Sequence, residues 1–214
     1  MPLPRLLFPV LLLLCLAAPL AGAATQTHVA DVAMTTTDWT VTLQVPRFDA
    51  TLGTLLSVSF TLGDSLNAMF RVENLASSVN TVRDSSKATI PLSRPDNTGL
   101  VQAFTAFEYT NTFPAFDGTI DFGGTSGATA PDRLAFSSAS ATTTAPADLA
   151  LFTGTGTIGL PCRAVGRSYT SDTAGNVIHG VSTKAAAQVT VVYTYEVVVP
   201  TTPTTWGGVK TIYR

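Results

Sequence analysis

Carboxylates are the first residues able to do chemistry. Asp117 and Asp121 bracket a short run in Phe116-Asp117-Gly118-Thr119-Ile120-Asp121-Phe122-Gly123-Gly124-Thr125-Ser126-Gly127, with Glu108 and Asp132 nearby in the sequence. Two carboxyl groups facing each other across a cleft can cleave a glycosidic bond. Asp117, Asp121, Glu108 and Glu73 are therefore the candidates for a carbohydrate-active hydrolase built on a β-sandwich scaffold. The same stretch repeats Asp and Gly as calcium-wrapping loops do. Ca²⁺ takes roughly six to eight hard oxygens, which Asp carboxylates and carbonyls freed by Gly can supply. Asp117 and Asp121 are thus also candidate calcium ligands of a calcium-dependent glycan- or protein-binding module, although the spacing is not Asp-x-Asp-x-Asp-Gly. A third reading is an ordered turn assembly, in which Asp side chains cap local N–H groups and Gly residues take positive φ.

Other catalytic chemistry has little to draw on. The histidines are His28, near the start of the mature chain and expected in a frayed end, and His179, expected exposed or in a hairpin. No Gly-x-Ser-x-Gly elbow occurs, and Gly124-Thr125-Ser126-Gly127 has the wrong spacing. His and Cys pairs at zinc-ligand spacing are absent, as is a phosphate loop of the Gly-x4-Gly-Lys-Ser/Thr type. No catalytic residue is assigned, and no cofactor is expected beyond the calcium alternative.

Strands must position these groups. Trp39, Val41, Leu43 and Val45 alternate with Thr40, Thr42 and Gln44 until Pro46 ends the run. Leu56, Val58, Phe60 and Leu62 alternate with Ser57, Ser59 and Thr61, and Gly63-Asp64 is expected to close that strand. Further strands are expected at Met69–Glu73, Ala88–Leu92, Gly99–Thr110, Thr119–Phe122, Arg133–Ser138, Leu149–Leu160 (or two strands broken near Gly154) and Val177–Ser182. The two faces of Gly99–Thr110 are less distinct, as if both were covered. Ala185–Val199 is the clearest strand, long enough to call for a bend or bulge. Its length and β-rich composition also raise self-assembly by strand exchange. Ala139–Leu151 is the best helical candidate, opposed by Thr142-Thr143-Thr144 and Pro146. About nine strands separated by Gly and Pro predict an all-β fold: an antiparallel, jelly-roll-like sandwich of two sheets, with a closed barrel as alternative.

Composition agrees. Of 214 residues 45% are hydrophobic, 12% are charged and thirty-five are Thr, which favours strands. The net charge of −2 disfavours a nucleic-acid partner, which calls for a basic face. Residues 1–23 read as a Sec-type signal peptide. Arg5 forms the positive region, Leu6–Ala18 the apolar region and Ala21-Gly22-Ala23 the cleavage site. The apolar run is short for a membrane span, so no transmembrane segment is expected after cleavage. Cys15 lies in the leader, leaving Cys162 as a small buried hydrophobe or a thiol for an intermolecular bridge. The sandwich domain is placed at 24–199. Pro200–Thr205 is a Pro/Thr linker, and residues 206–214 form a tail whose Trp206, Val209, Ile212 and Tyr213 could dock on sorting or assembly machinery.

Several segments together carry a family likeness. They are Phe48-Asp49-Ala50-Thr51-Leu52-Gly53-Thr54-Leu55-Leu56-Ser57-Val58, Val72-Glu73-Asn74-Leu75, Phe116–Thr119 with Asp121–Gly127, Phe152-Thr153-Gly154-Thr155-Gly156-Thr157-Ile158, and Val191-Val192-Tyr193-Thr194-Tyr195. In this order, from about Trp39 to Tyr195, the chain resembles the bacterial choice-of-anchor E domain family. The resemblance implies an exported bacterial domain, joined in different members to different C-terminal sorting signals, often a PEP-CTERM tail. It implies no activity and no catalytic residues. No Pro-Glu-Pro motif stands in residues 200–214. The sequence thus predicts a secreted or cell-surface, non-enzymatic matrix, adhesion or envelope component. Its expected partners are an extracellular polysaccharide or a surface protein.

Overall fold

The computed structural model describes residues 22–198. Residues 1–21 of the expected signal peptide, and Trp206, Val209, Ile212 and Tyr213 of the tail, lie outside these residues. Eight strands and one short helix follow in order: β1 (Ala23–Thr36), β2 (Trp39–Pro46), β3 (Gly53–Asn74), β4 (Asn80–Ser93), β5 (Gly99–Phe113), β6 (Gly127–Thr143), α1 (Pro146–Phe152), β7 (Thr157–Asp172) and β8 (Val177–Val197). They form two four-stranded sheets, β1-β8-β3-β6 and β2-β7-β4-β5. β1 pairs with β8, β2 with β7, β3 with β6 and β4 with β5, all antiparallel. This is one long hairpin ribbon rolled upon itself, and the roll brings β3 beside β8 and β4 beside β7. The result is a jelly-roll sandwich rather than a closed barrel.

Alternation builds the core. Val58, Phe60, Leu62 and Leu66 of β3 and Val189, Val191 and Tyr193 of β8 face Ala88, Ile90 and Leu92 of β4 and Ile158, Leu160 and Cys162 of β7. Tyr193 anchors its hydroxyl by donating to the Pro46 carbonyl at 2.7 Å, and Trp39 Nε1 donates to the Ala185 carbonyl at 3.1 Å. Each buried polar tip thus has a partner while its ring fills the core.

Several expectations are corrected. β3 does not stop at Gly63-Asp64 but continues to Asn74, absorbing Met69–Glu73, and Val177–Ser182 runs on with the following strand as β8; with β1 added and Thr119–Phe122 in a loop, eight strands result. A register shift between Leu55 and Ser57 turns Leu56 outward and buries Leu55, a reversal that strict alternation misses. β8 runs unbroken, and the irregularities fall in its neighbours β1 and β3 instead. Thr119–Phe122 is loop, because its Gly and Asp neighbours fix turns. Leu149–Leu160 divides into the end of α1 and the start of β7; Pro146 opens the helix, where its missing N–H is harmless. His28 is no frayed end: it pairs with Val191, and its ring meets Tyr193 edge-on at 5.6 Å. β5 is an edge strand whose outer face is open, with Phe104 54% exposed.

Candidate functional site

The loops gather at two ends. Residues 75–79, 114–126 and 173–176 join strands at one end, and residues 47–52, 94–98 and 144–156 join them at the other. The carboxylates singled out from sequence lie mainly at the first end. Phe70 and Val72 point into the core, so Glu73 should point outward from β3. It is nevertheless fully buried, because the β5–β6 loop folds over it. Ser126 Oγ donates to Glu73 Oε1 at 2.6 Å, and the Phe122 N–H donates to Oε2 at 2.7 Å.

Asp117 organises the same loop from its own chain. Its Oδ1 accepts the Thr119 N–H at 3.0 Å, and its Oδ2 accepts the Thr125 N–H at 3.1 Å and the Ser126 N–H at 3.4 Å. These donors, Thr119 first and Thr125 next, hold the Asp117 carboxyl below its ordinary pKa. Asp121 Oδ1 accepts the Gly123 N–H at 2.8 Å. The glycines leave room for these acids. A Cβ on Gly127 would fall 2.2 Å from Glu73 Oε2, and one on Gly124, where φ is +57°, would fall 2.5 Å from Asp117 Oδ2. The Asp-Gly pattern thus closes on its own backbone. Among the described residues no three His, Cys, Asp or Glu side chains converge as a metal-binding group.

The other candidates lie elsewhere. Glu108 sits on the outer face of β5 and pairs with Arg83 at 2.5 Å, away from Glu73 and Asp117. Asp132 accepts a long bond from Asn67 Nδ2 at 3.4 Å. Cys162 is buried in the core, its thiol pushed up to about 11 by burial and then by the Asp64 carboxylate. A buried thiol of this kind is a core hydrophobe, not a bridge-former.

Alternation alone did not reveal a polar belt inside the sandwich. Asp64 of β3 takes the Thr105 hydroxyl on Oδ2 at 2.6 Å, while its buried Oδ1 has no partner among the described residues. Asp84 of β4 takes the Thr170 hydroxyl on Oδ1, and its Oδ2 is likewise without a partner. Thr170 Oγ1 also meets His179 Nδ1 at 2.8 Å, so a surface histidine joins a buried acid through one hydroxyl. Thr170 thus stands between the Asp84 carboxyl and the His179 ring. Burial raises both the Asp64 and the Asp84 pKa. The three residues sit on β4, β7 and β8 with no shared motif. Only the polar type of Asp64 and Asp84 at inward positions could have marked them.

The outer faces complete the inventory. The face of β1-β8-β3-β6 is Ser/Thr-rich, with Ser59–Thr142 and Thr61–Ser140 hydroxyl pairs at 2.8 and 3.0 Å. The face of β2-β7-β4-β5 carries Arg83, Lys87, Arg163 and Arg167 at outward positions. No helix among the described residues is long and apolar enough to cross a membrane.

No protein-family model matches the chain, and no curated protein matches it significantly. Distant likenesses exist among solved structures. One is the structure of the infectious bursal disease virus Gx strain, at 14% identity and a TM-score of 0.25, covering 81% of this chain and 37% of that one. Another is the T13 particle of the same virus, at 15% identity and a TM-score of 0.22, covering 82% and 36%. The chain spans a little over a third of the length of these viral chains.

Proposed function

We propose that the protein is an exported, non-enzymatic surface module of the choice-of-anchor E kind, serving as a matrix, adhesion or envelope component. The observation that carries this reading is the occupation of the carboxylates. Glu73, Asp117 and Asp121 all accept hydrogen bonds from the β5–β6 loop that surrounds them. Glu108 stands apart on an open face beside Arg83. A glycosidase presents two carboxyls to one substrate bond; here the acids build backbone instead. The long strands then leave the sheet faces as the broad surfaces for contact.

Export is tested by expressing the whole chain in a Sec-competent bacterium and sequencing the N-terminus of the product. Mature protein beginning near Ala24, outside the cytoplasm, is the expected result; an intact Met1 inside the cell contradicts it. Hydrolase activity is tested by reducing-sugar release from a panel of polysaccharides. Release that is abolished by Asp117→Asn or Glu73→Gln in a folded protein overturns the non-enzymatic reading.

A further inference from the structure

Charge on the sandwich is sorted in a way the fold does not require. All fourteen Asp and Glu lie within residues 22–198, whereas the twelve Lys and Arg include Arg5, Lys210 and Arg214 outside them. The described body therefore holds nine cations against fourteen acids, yet one sheet face is basic. On the outer face of β2-β7-β4-β5, Arg83 and Lys87 occupy β4, and Arg163 and Arg167 occupy β7. Among the strand positions of that face, Glu108 is the one acid.

The register sets these charges against each other. Lys87 lies directly opposite Arg167, and like charges opposite one another destabilise a sheet. Arg83 lies four residues along β4 to one side, and Arg163 four residues along β7 to the other. At about 3.3 Å per residue the cations form a stripe roughly 26 Å long. Neutralisation is partial. Glu108 pairs with Arg83, and Asp38 stands 4.0 Å from Arg167. Lys87 and Arg163 have no ion pair among the described residues, and the rest of the chain contains no Asp or Glu to supply one.

Three hollows follow the stripe. One of about 240 Å³ lies beside Arg83, Glu108 and Ser171, one of about 510 Å³ between Lys87, Arg167, Ser85 and Glu108, and one of about 470 Å³ beside Arg163 and Thr40. Tyr169, 69% exposed, stands at the first two, and Phe104 projects from β5 on the same face. Exposed rings beside cations and hydroxyls offer an apolar plate with polar surroundings. A sugar ring needs that combination for its C–H face and its hydroxyls, and the guanidinium fork suits a carboxylate.

We propose that the outer face of β2-β7-β4-β5 binds a linear polyuronate, with Lys87 and Arg167 at the centre of the site and Tyr169 stacked on a sugar ring. Charge complementarity selects an acidic glycan over a neutral one. Duplex DNA carries a negative charge about every 1.7 Å, far denser than this stripe. The proposal rests on the reading of the protein as a surface module, but the two fail separately. Cytoplasmic retention defeats export without touching binding.

Calorimetric titration of the full mature protein with a polygalacturonate hexasaccharide tests it, with maltohexaose and a thymidine oligonucleotide as controls. Binding at low salt that weakens as salt is added is expected. Lys87→Ala/Arg167→Ala should weaken it by about tenfold or more, the scale of one or two lost charge-assisted contacts. Tyr169→Ala should weaken it about threefold. Lys184→Ala, on the other sheet, should leave it unchanged. Melting midpoints check the fold, and that of the double variant should not fall, because it removes a like-charge pair. The proposal is overturned by no binding to the hexauronate, by equal binding in a folded double variant, or by equal affinity for maltohexaose or the oligonucleotide.

Discussion

At one end of the sandwich the loops rest on rings; at the other they rest on carboxylates and amides. Phe152, which closes α1, lies 5.3 Å from Phe60 and 6.4 Å from Tyr193 between ring centroids. Phe48 of the β2–β3 loop meets Tyr193 at 6.0 Å and Tyr195 at 5.0 Å. Such contacts are broad and nondirectional, and they join the loops to β3 and β8. At the opposite end Glu73, Asp117, Asn74 and Asn80 each bind named backbone groups. Asn80 Oδ1 alone accepts the N–H groups of Thr173 and Ala174, both at 3.0 Å, and Asn74 Nδ2 donates to the Pro114 carbonyl at 2.6 Å. The aromatic end supplies stability to the whole domain. The polar end supplies shape to particular loops.

The sharpest way to break this contrast is to delete one support at each end. Phe152→Ala should destabilise the whole domain by about 3–5 kcal/mol in denaturant unfolding, because a large ring leaves a cavity shared by both sheets. Glu73→Ala strands the part-buried Phe122 N–H and the buried Ser126 hydroxyl and should cost about 1–3 kcal/mol. Its signature should be local, with faster amide exchange confined to the β5–β6 loop. Exchange that rises evenly through both sheets in Glu73→Ala would erase the distinction. Gly127→Ala forces a methyl onto the Glu73 carboxylate and should cost about 1–3 kcal/mol, again with loop-confined exchange.

Acid sharpens the comparison further. Asp117 has a lowered pKa, from the backbone donors of Thr119 and Thr125. Its contribution is present above the ordinary Asp value and lost as pH falls through the folded one. Asp117→Asn should therefore lower the melting midpoint at neutral pH, and the difference should close in strong acid. Asp64 and Asp84 behave in the opposite sense, since burial raises both. The folded state holds their protons longer, so stability falls as pH rises from the ordinary Asp value through the folded ones. Relative to the Asp64→Asn/Asp84→Asn variant, the wild type should lose stability as pH rises above the ordinary Asp value. Parallel profiles for the two proteins would refute the burial argument.

Period-two alternation made the sandwich legible, because β-branched and aromatic residues recur on one face of β2, β3 and β8. Position i pairing with the strand that mirrors it in the ribbon was not legible, since sheet order depends on distant partners. The fate of Leu56 was hidden for a similar reason: the register shift beside it depends on β8. The Asp117–Gly127 stretch was recognisable as unusual from its Asp and Gly spacing. Glu73, the acid beneath it, lies far off in sequence and shows its role only when β3 and the loop meet. The basic stripe was missed because a net charge of −2 averages over faces, while the register of β4 against β7 decides which cations gather.

The account stands or falls on which part of the molecule does the binding, the open sheet face or the carboxylate loop. Arginine side-chain NMR of the mature protein during titration with hexauronate decides it. Shifted Nε–H signals are expected for Arg163 and Arg167, with Arg71 on the other sheet and the amides of residues 116–127 unmoved. Shifts centred on residues 116–127, with the Arg163 and Arg167 signals unchanged, would contradict it.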